Sequence, residues 1–431
     1  MDEASCLDFL GQFHTKVSTR TGGRHHRVMH DLFRRFEIDP KAFDIIQITG
    51  SCGKGSTAAF ISAMLQAQGI RHGLFTGPHL FRYEERFAID GQFIETGAFI
   101  EIVNDIAEKT ETMDLTDVGH KHLMTLIAMM WFSKKQVPLV IFENGAGGWS
   151  DPSNVFDPAI ACLTELTLDH TQLLGDSIEA ITKDKSAIIK PTTRFAVCGM
   201  YNEEARRFLL DKEKSSDTRY DFLNRDYALF EANGRLTFKN YHFELSDVTL
   251  GLEGRHQRQN AANAIQVIQC LGELGYPVAP QAMKKGLANA RFPGRLEKLA
   301  REGTEWILDG AHNPLEMTVL SENLKQLSVN PNVVVISFAS KKDVEKMLLG
   351  LHLTDAFYFA VPSPFAARQQ PQSEVEAVFR RLKLPFQYCS SVEEALHKAE
   401  VLNDHRGPIL VTGSLYLVGN ARQWLLIGQR L

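Results

Sequence analysis

The 431-residue chain is longer than one hydrophobic core usually serves, so two domains are expected. Its 44% apolar, 23% charged and 9% aromatic residues exclude a disordered or fibrous chain. A formal net charge of −5 gives no general attraction to nucleic acid or to an anionic membrane, although it leaves room for a local basic pocket. The first ten residues hold three acids and no basic stretch ahead of an apolar run, so no signal peptide is expected. Apolar runs such as Leu123–Phe132 are too short to span a bilayer. Six cysteines (6, 52, 162, 198, 270 and 389) contain no CxxC pair. That argues against a disulfide framework or a zinc site and fits a reducing cytoplasm.

In chain order, Phe43–Thr49 reads as a strand, Gly50–Ser56 as a turn, and Thr57–Gln68 as an amphipathic helix stopped by Gly69. Pro138–Phe142 delivers Glu143 into the turn Gly145–Gly148. Ala159–Leu163 leads to Asp169 and His170, and Asp176–Ile189 reads as a helix capped by Asp176 or Ser177. Around Asn233-Gly234 the alternation predicts an antiparallel hairpin. Gln257–Leu274 is a long helix, and Pro293-Gly294 then interrupts. Strands follow at Trp306–Leu308, Val333–Phe338, Phe357–Val361 and Ile409–Thr412, with helices at Leu315–Leu327, Lys342–Leu349, Ser373–Arg381 and Val392–Leu402. Strands alternating with helices predict an α/β fold: a P-loop-containing, mostly parallel sheet domain over residues 1–293, then a smaller Rossmann-like α/β domain over 294–431.

The segment Gly50-Ser-Cys-Gly53-Lys54-Gly55-Ser56 joins a strand to a helix. Small residues let backbone N–H groups close on phosphate oxygens, and the helix N-terminus adds a favourable field. Lys54 supplies a mobile charge for the β- and γ-phosphates, and the Ser56 hydroxyl is placed to meet Mg²⁺. Gly55 separates Lys54 from Ser56, which departs from the common P-loop.

That departure resembles the loop of the Mur-ligase superfamily, and within it the chain resembles folylpolyglutamate synthase and dihydrofolate synthase. The resemblance runs from about Ile48 to Gly419. It rests on Thr76-Gly-Pro-His-Leu80 with Glu85-Arg86, Glu143-Asn-Gly-Ala-Gly-Gly148 with Asp151-Pro-Ser-Asn154, and Leu168-Asp-His170. Asp184-Lys-Ser-Ala-Ile-Ile-Lys-Pro191, His256-Gln257 with Asn260-Ala-Ala262, and Phe292-Pro-Gly-Arg-Leu-Glu297 continue it. Asp309-Gly-Ala-His-Asn-Pro314 and Thr412-Gly-Ser-Leu-Tyr-Leu-Val-Gly419 close the series.

The resemblance implies an ATP-binding central domain followed by a C-terminal ligase domain. It implies ATP on Gly50, Gly53, Lys54, Gly55, Ser56, Asn260, Arg295, Asp309 and His312, clamped between the domains. Magnesium is implied at Ser56 and Glu143, with His170 on a second ion; taken alone, His170 is more often a hydrogen-bonding histidine. Lys185, which alone reads as solvated surface, is implied to be carbamylated, a reaction that needs a neutral amine. Lys54, Lys185, His170 and Arg295 are the implied catalytic residues. His79, Arg86, Asp151, Asn154, Lys121, His122 and Ser414 are the implied substrate-binding residues. Asp309–Pro314 also reads as a helix start with Pro314 in the first turn, and both readings are compatible.

Three acceptor-side positions depart from the family pattern. Gly77 stands where a serine is usual, which removes a hydroxyl near the first magnesium and frees the backbone at Thr76–Pro78. Lys121-His122 replaces a Phe-Glu pair, and Trp149 follows Gly147-Gly148 in place of arginine. The expected function is ATP-dependent ligation of L-glutamate to a folate or pteroate through an acyl phosphate, by a cytoplasmic monomer with small-molecule substrates and no nucleic-acid or membrane partner. The alternatives are a ligase for another carboxylate, or a nucleotide-binding homologue without catalysis.

Overall fold

A computed structural model describes residues 2–14, 23–232, 234–340, 342–364 and 369–427. The chain divides into two compact units. The first comprises Met1–His79, Tyr83–Gly251 and His256–Arg291; the second comprises Leu80–Arg82, Leu252–Arg255 and Phe292–Leu431.

The first unit opens with α1 (Glu3–Gly11) and α2 (Arg24–Arg35), then β1 (Asp44–Thr49), α3 (Lys54–Gln68), β2 (His72–Phe75), β3 (Phe87–Ile89) and β4 (Gln92–Phe93). Next come α4 (Thr96–Thr110), α5 (His120–Lys134), β5 (Leu139–Glu143), β6 (Ile160–Leu163), α6 (Thr171–Leu174) and α7 (Ile178–Lys185). It continues through β7 (Phe195–Cys198), α8 (Glu203–Glu213), β8 (Arg219–Phe222), a hairpin sheet β9 (Tyr227–Ala232), β10 (Arg235–Asn240) and β11 (Glu244–Val248), then α9 (His256–Glu273) and α10 (Pro280–Asn289). Among the described residues, the large sheet has eight strands in the order β4-β3-β2-β5-β1-β6-β7-β8. The links from β2 to β8 are parallel, while β3 and β4 are antiparallel.

Every residue of β1 after Asp44 is buried, as a parallel strand covered on both faces requires. Ile48 pairs with Glu143 and Thr49 with Leu163, so β1, β5 and β6 end side by side. The loops that follow them therefore emerge at one edge, where open α/β sheets collect ligands. One face of this sheet is sealed by a phenylalanine-rich core, in which Phe75 of β2 and Phe142 of β5 stack with ring centroids 4.5 Å apart. Each such buried side chain contributes about 1.5–3 kcal/mol of transfer free energy. The expected cap of α7 resolves in favour of Ser177, whose hydroxyl accepts from Ala180 N. The expected hairpin is β9–β10; Asn233 of its turn lies outside the described residues.

The second unit contains β12 (Glu297–Arg301), β13 (Thr304–Leu308), α11 (Pro314–Gln326), β14 (Val333–Ser337), α12 (Val344–Leu351), β15 (Phe357–Val361), α13 (Gln372–Arg381), β16 (Phe386–Tyr388), α14 (Val392–Asn403), β17 (Ile409–Thr412) and α15 (Leu415–Ile427). Its strand order is β12-β13-β17-β14-β15-β16, parallel except for β12. Along β14, Val334 and Ile336 enter one apolar cluster while Val333 and Val335 enter the other, the two-residue period of a strand covered on both faces. Among the described residues, no helix is long and apolar enough to cross a membrane.

Candidate active site

The glycine-rich turn leaves β1 and enters α3 with Gly53 as N-cap, at φ 86°. That left-handed conformation suits glycine, and the Asn260 amide also packs where a Cβ would stand. The loop is braced from the strand beside it. Ser51 N donates to Glu165 O at 2.8 Å, and Thr164 Oγ1 donates to Cys52 O at 2.6 Å. Ser51 Oγ donates to Thr167 O at 3.0 Å. Gly55 and Ser56 are buried in the first turn of α3. Ser56 Oγ accepts from Gln257 Nε2 at 3.3 Å, and Gln257 in turn accepts from Asn260 Nδ2 at 2.9 Å.

Two lysines meet at the start of this loop. Lys54 Nζ donates to Gly50 O at 3.0 Å, and Lys185 Nζ, from the last residue of α7, donates to the same oxygen at 2.9 Å. Lys185 is buried; loss of hydration, followed by the charge of Lys54, lowers its pKa to about 7. A neutral amine is thus accessible near physiological pH. The surface reading of this lysine does not hold.

Glu143 ends β5 and is buried. Its Oε2 accepts from Gly77 N at 3.1 Å, and its main-chain oxygen accepts from Lys121 Nζ at 3.2 Å. The hard oxygens of Glu143 and Ser56 suit Mg²⁺, which needs few protein ligands when water and phosphate fill the rest. His170 stands on the surface as the N-cap of α6, with a left-handed backbone (φ 50°) and Asp169 Oδ2 at 3.6 Å from Nε2. Among the described residues, no group of three or more His, Cys, Asp or Glu side chains is placed to hold a metal ion.

On the acceptor side, Arg86 Nε donates to His79 Nδ1 at 2.8 Å. Burial and then Arg86 push the His79 pKa down to about 3, which leaves the ring neutral. Gly77 does not take the left-handed backbone that would require glycine. A Cβ there would instead lie 2.6 Å from Arg86 Nη1. Glycine at 77 makes room for a guanidinium, a correction to the expectation of a freed backbone. His122 closes the start of α5 by accepting from Gly119 N at 3.0 Å. Asp151 is spent on its own turn: Oδ2 accepts from Gly145 N and Ala146 N at 2.8 and 3.3 Å, and Oδ1 accepts from Ser153 N and Oγ at 3.0 and 2.6 Å. Asn154 is buried between Ala187 O at 3.1 Å and Lys190 Nζ at 2.6 Å.

In the second unit, the Gly294–Leu296 turn lies against the loop after β13. Gly310 N donates to Gly294 O at 2.8 Å. Asp309 is buried, and its carboxylate accepts from Leu296 N at 3.0 Å and Ala311 N at 2.9 Å. Desolvation raises its pKa, while the nearby charge of Arg295 works against that rise. His312 Nδ1 lies 3.0 Å from Gly310 O and 3.1 Å from Glu316 Oε2. Asn313 caps α11 and Pro314 occupies its first turn, so the helix-start reading of this motif holds. Ser414 is buried at the start of α15, where its carbonyl accepts from Val418 N at 3.0 Å.

Two groupings are built, apart from His79, from residues outside the expected site. Asp184, previously only part of a motif, pins the Gly148–Ser150 turn by accepting from Gly148 N at 2.7 Å and from Ser150 N and Oγ at 3.2 and 2.6 Å. Tyr83 Oη lies 2.7 Å from His14 Nε2 and 3.2 Å from His120 Nε2, beside the His79 ring. Nothing in the spacing of residues 14, 79, 83 and 120 announces that cluster. Only the abundance of histidine in this part of the chain hints at it.

Residues 48–268 match the Mur ligase middle domain, and residues 294–415 match the Mur ligase glutamate ligase domain. The chain is 34% identical to a folylpolyglutamate synthase of Lacticaseibacillus casei over 89% of this chain and 90% of that one. It is 30% identical to a dihydrofolate synthase/folylpolyglutamate synthase of Bacillus subtilis over 92% and 94% of the two chains. A solved FPGS–AMPPCP–folate complex superposes with a TM-score of 0.82 at 29% identity, covering 99% of this chain and 100% of that one. With both Mur ligase domains in order and relatives aligned over nearly their whole length, the chain belongs to the folylpolyglutamate synthase family of the Mur ligases.

Proposed function

We propose that the chain is an ATP-dependent ligase that adds L-glutamate to a folate. The observation that carries this reading is the convergence of Lys54 and Lys185 on Gly50 O beside the strand-end carboxylate Glu143. The whole-length similarity to folylpolyglutamate synthases supports the choice of substrate, and the FPGS complex holding AMPPCP and folate supports the choice of nucleotide.

In this reading the acceptor carboxylate attacks the γ-phosphorus of ATP, giving an acyl phosphate and ADP. The amine of glutamate then attacks the acyl carbon, phosphate leaves, and the amine sheds a proton to solvent. The Gly50–Ser56 backbone holds the phosphates, and Lys54 leaves Gly50 O to meet the charge that develops on the transferring group. Arg295, Asp309 and His312 are assigned to the nucleotide. His79, Arg86 and Lys121 are assigned to the acceptor, and Asp151, Asn154 and His122 support it by shaping the turns around it. Magnesium on Ser56 and Glu143, with a second ion at His170, would supply further positive charge against the phosphoryl oxygens.

Lys185 is assigned as a carbamate. Its neutral amine adds to CO₂, forming the N–C bond and releasing one proton, and a buried cation becomes an anion able to orient metal and phosphate. This frees Gly50 O from one of its two lysines.

The reading is tested by following ADP release with ATP, L-glutamate and a reduced folate. Release that requires all three, with a glutamylated product in the mass spectrum, is expected. ATP turnover that ignores the folate, or no turnover with any folate, overturns it.

A further inference from the structure

The first turn of α2 lacks the features that start a helix. Its N-cap, Gly23, supplies no side-chain hydrogen bond, and Arg24-His25-His26 puts no acid where the exposed N–H groups favour one. A residue choice that breaks a local rule points to a task elsewhere. That task lies 124 and 123 positions along the chain: His25 Nε2 is 2.8 Å and His26 Nε2 3.0 Å from the main-chain oxygen of Trp149.

A carbonyl oxygen only accepts, so both rings must carry a hydrogen on Nε2, and both lone pairs of Trp149 O are taken. The two rings meet edge to face with centroids 4.1 Å apart, and the His26 ring stands edge-on to the Trp149 indole at 4.6 Å. Burial, followed by the proximity of His25, pushes the His26 pKa down to about 4, so this ring is neutral near pH 7. Lys190, His30 and His122 are the other titratable groups facing the pair. Trp149 itself is 47% exposed. At such a surface water satisfies a carbonyl without ordering two side chains. Two imidazoles on one oxygen fix where the turn lies.

The position of that turn matters because of what it holds on its other side. Trp149 N donates to Asp184 O at 2.8 Å, and the Asp184 carboxylate takes the N–H groups of Gly148 and Ser150. Gly148 passes so close to the end of α7 that a Cβ on it would run into the carbonyls of Asp184 and Lys185. Gly147 O accepts from Thr49 Oγ1 at 2.7 Å, at the end of β1. The turn is thus fastened to α2, to β1 and to the residue before Lys185. The Lys185 amine in turn reaches Gly50 O at 2.9 Å, among the charges of Lys54, Asp169, Asp184 and Asp151. Slack in the turn would shift the end of α7 and admit water to an amine that burial holds partly neutral.

We infer that His25 and His26 are positioning residues for Lys185: through the Trp149 carbonyl they hold the Gly147–Ser150 turn against the end of α7, and so keep the Lys185 amine in place for its carbamate. The inference rests on the carbamate assignment above and deepens it. The pair lies ahead of residues 48–268, over which the chain matches the Mur ligase middle domain, so this brace belongs to a segment outside that match. Neither imidazole touches a reacting atom. Both act by fixing the geometry of a group that does.

The test titrates carbon-13 bicarbonate into wild type, His26→Leu, His26→Gln and the double variant His25→Leu/His26→Leu at one pH, reading the carbamate by NMR. His26→Leu should raise the half-saturating bicarbonate concentration by about 2- to 10-fold, the worth of one hydrogen bond, and the double variant by about 10- to 100-fold. His26→Gln keeps a donor at similar reach and should restore most of the loss. At saturating bicarbonate, kcat should return toward the wild-type value. A lower melting temperature with unchanged half-saturation would reduce the pair to a structural role and overturn the inference, leaving the carbamate assignment standing. Nitrogen-15 spectra of wild type test it without any variant: a neutral ring at 25 or 26 with its hydrogen on Nδ1 overturns it. Absence of any adduct in wild type overturns the carbamate assignment, and the inference with it.

Discussion

Lys54 and Lys185, 131 positions apart in the chain, share one hydrogen-bond acceptor: both ammonium groups donate to the carbonyl oxygen of Gly50, at 3.0 and 2.9 Å. Like charges brought together and buried raise the cost of protonation, and Lys185, the more buried of the two, bears it with a pKa lowered to about 7.

Carbamate formation on Lys185 should therefore follow the neutral amine. Enzyme stripped of CO₂ and given bicarbonate is expected to regain activity more completely as pH rises through about 7. A solvated lysine would need a pH near ~10.4. The linked stability has the same sign: between those values the unfolded chain binds a proton that the folded chain does not, so this lysine's contribution grows with pH. Carbon-13 bicarbonate NMR reads the adduct directly. Lys185→Ala should lose both signal and activity, with partial rescue by a small carboxylic acid. An active alanine variant with no adduct in wild type would remove Lys185 from the mechanism.

Lys54→Ala should keep the fold, since among the described residues the Lys54 ammonium bonds to backbone carbonyls of its own loop and to no other group. The uncompensated charge on the transferring phosphoryl group should raise the barrier by ~3 kcal/mol or more. Turnover is the measurement, with a thermal melt to confirm folding. Near-normal turnover in a folded variant would contradict the phosphate-loop assignment.

Gly53→Ala meets two obstacles, a left-handed backbone at φ 86° and the Asn260 amide. The expected penalty is about 1–3 kcal/mol, seen as a lower melting temperature and weaker nucleotide binding. Adding Asn260→Ala should recover the steric part and leave the backbone part. Full recovery in the double variant would show that conformation contributes nothing there.

Gly77→Ala separates the two consequences of the missing serine. The methyl group must displace Arg86 Nη1, and overpacking of this kind costs about 1–3 kcal/mol. We expect a raised KM for the acceptor and little change in the magnesium dependence. Gly77→Ser should show the same rise, with any gain in magnesium affinity coming on top. An alanine variant with unchanged acceptor KM would mean that Arg86 does not contact the acceptor.

By itself the sequence determined the parts of this protein whose cause is local. β15 and β17 run over the residues expected of them, because a parallel strand buried on both faces needs a continuous apolar run and little else in the chain supplies one. The β1–loop–α3 unit was legible for the same reason, and its Gly-Lys-Gly-Ser run named the chemistry before any neighbour was known. The short strands β2, β3, β4, β7 and β8 carry too few residues to show a period, and pairing with longer strands defines them. The site divides along the same line. Lys185 is 135 positions from Gly50, and Gln257 is 201 positions from Ser56; only the β5-β1-β6 order and the docking of α7 and α9 bring them together. Asp309 could be recognised as important from its motif, but whether its carboxylate faces a ligand or its own backbone depends on which N–H groups arrive beside it. The fold delivers those of Leu296 and Ala311. Burial decides the rest: the same lysine is a solvated cation or a neutral amine according to the water and charge around it, and neither is written in the residues next to it.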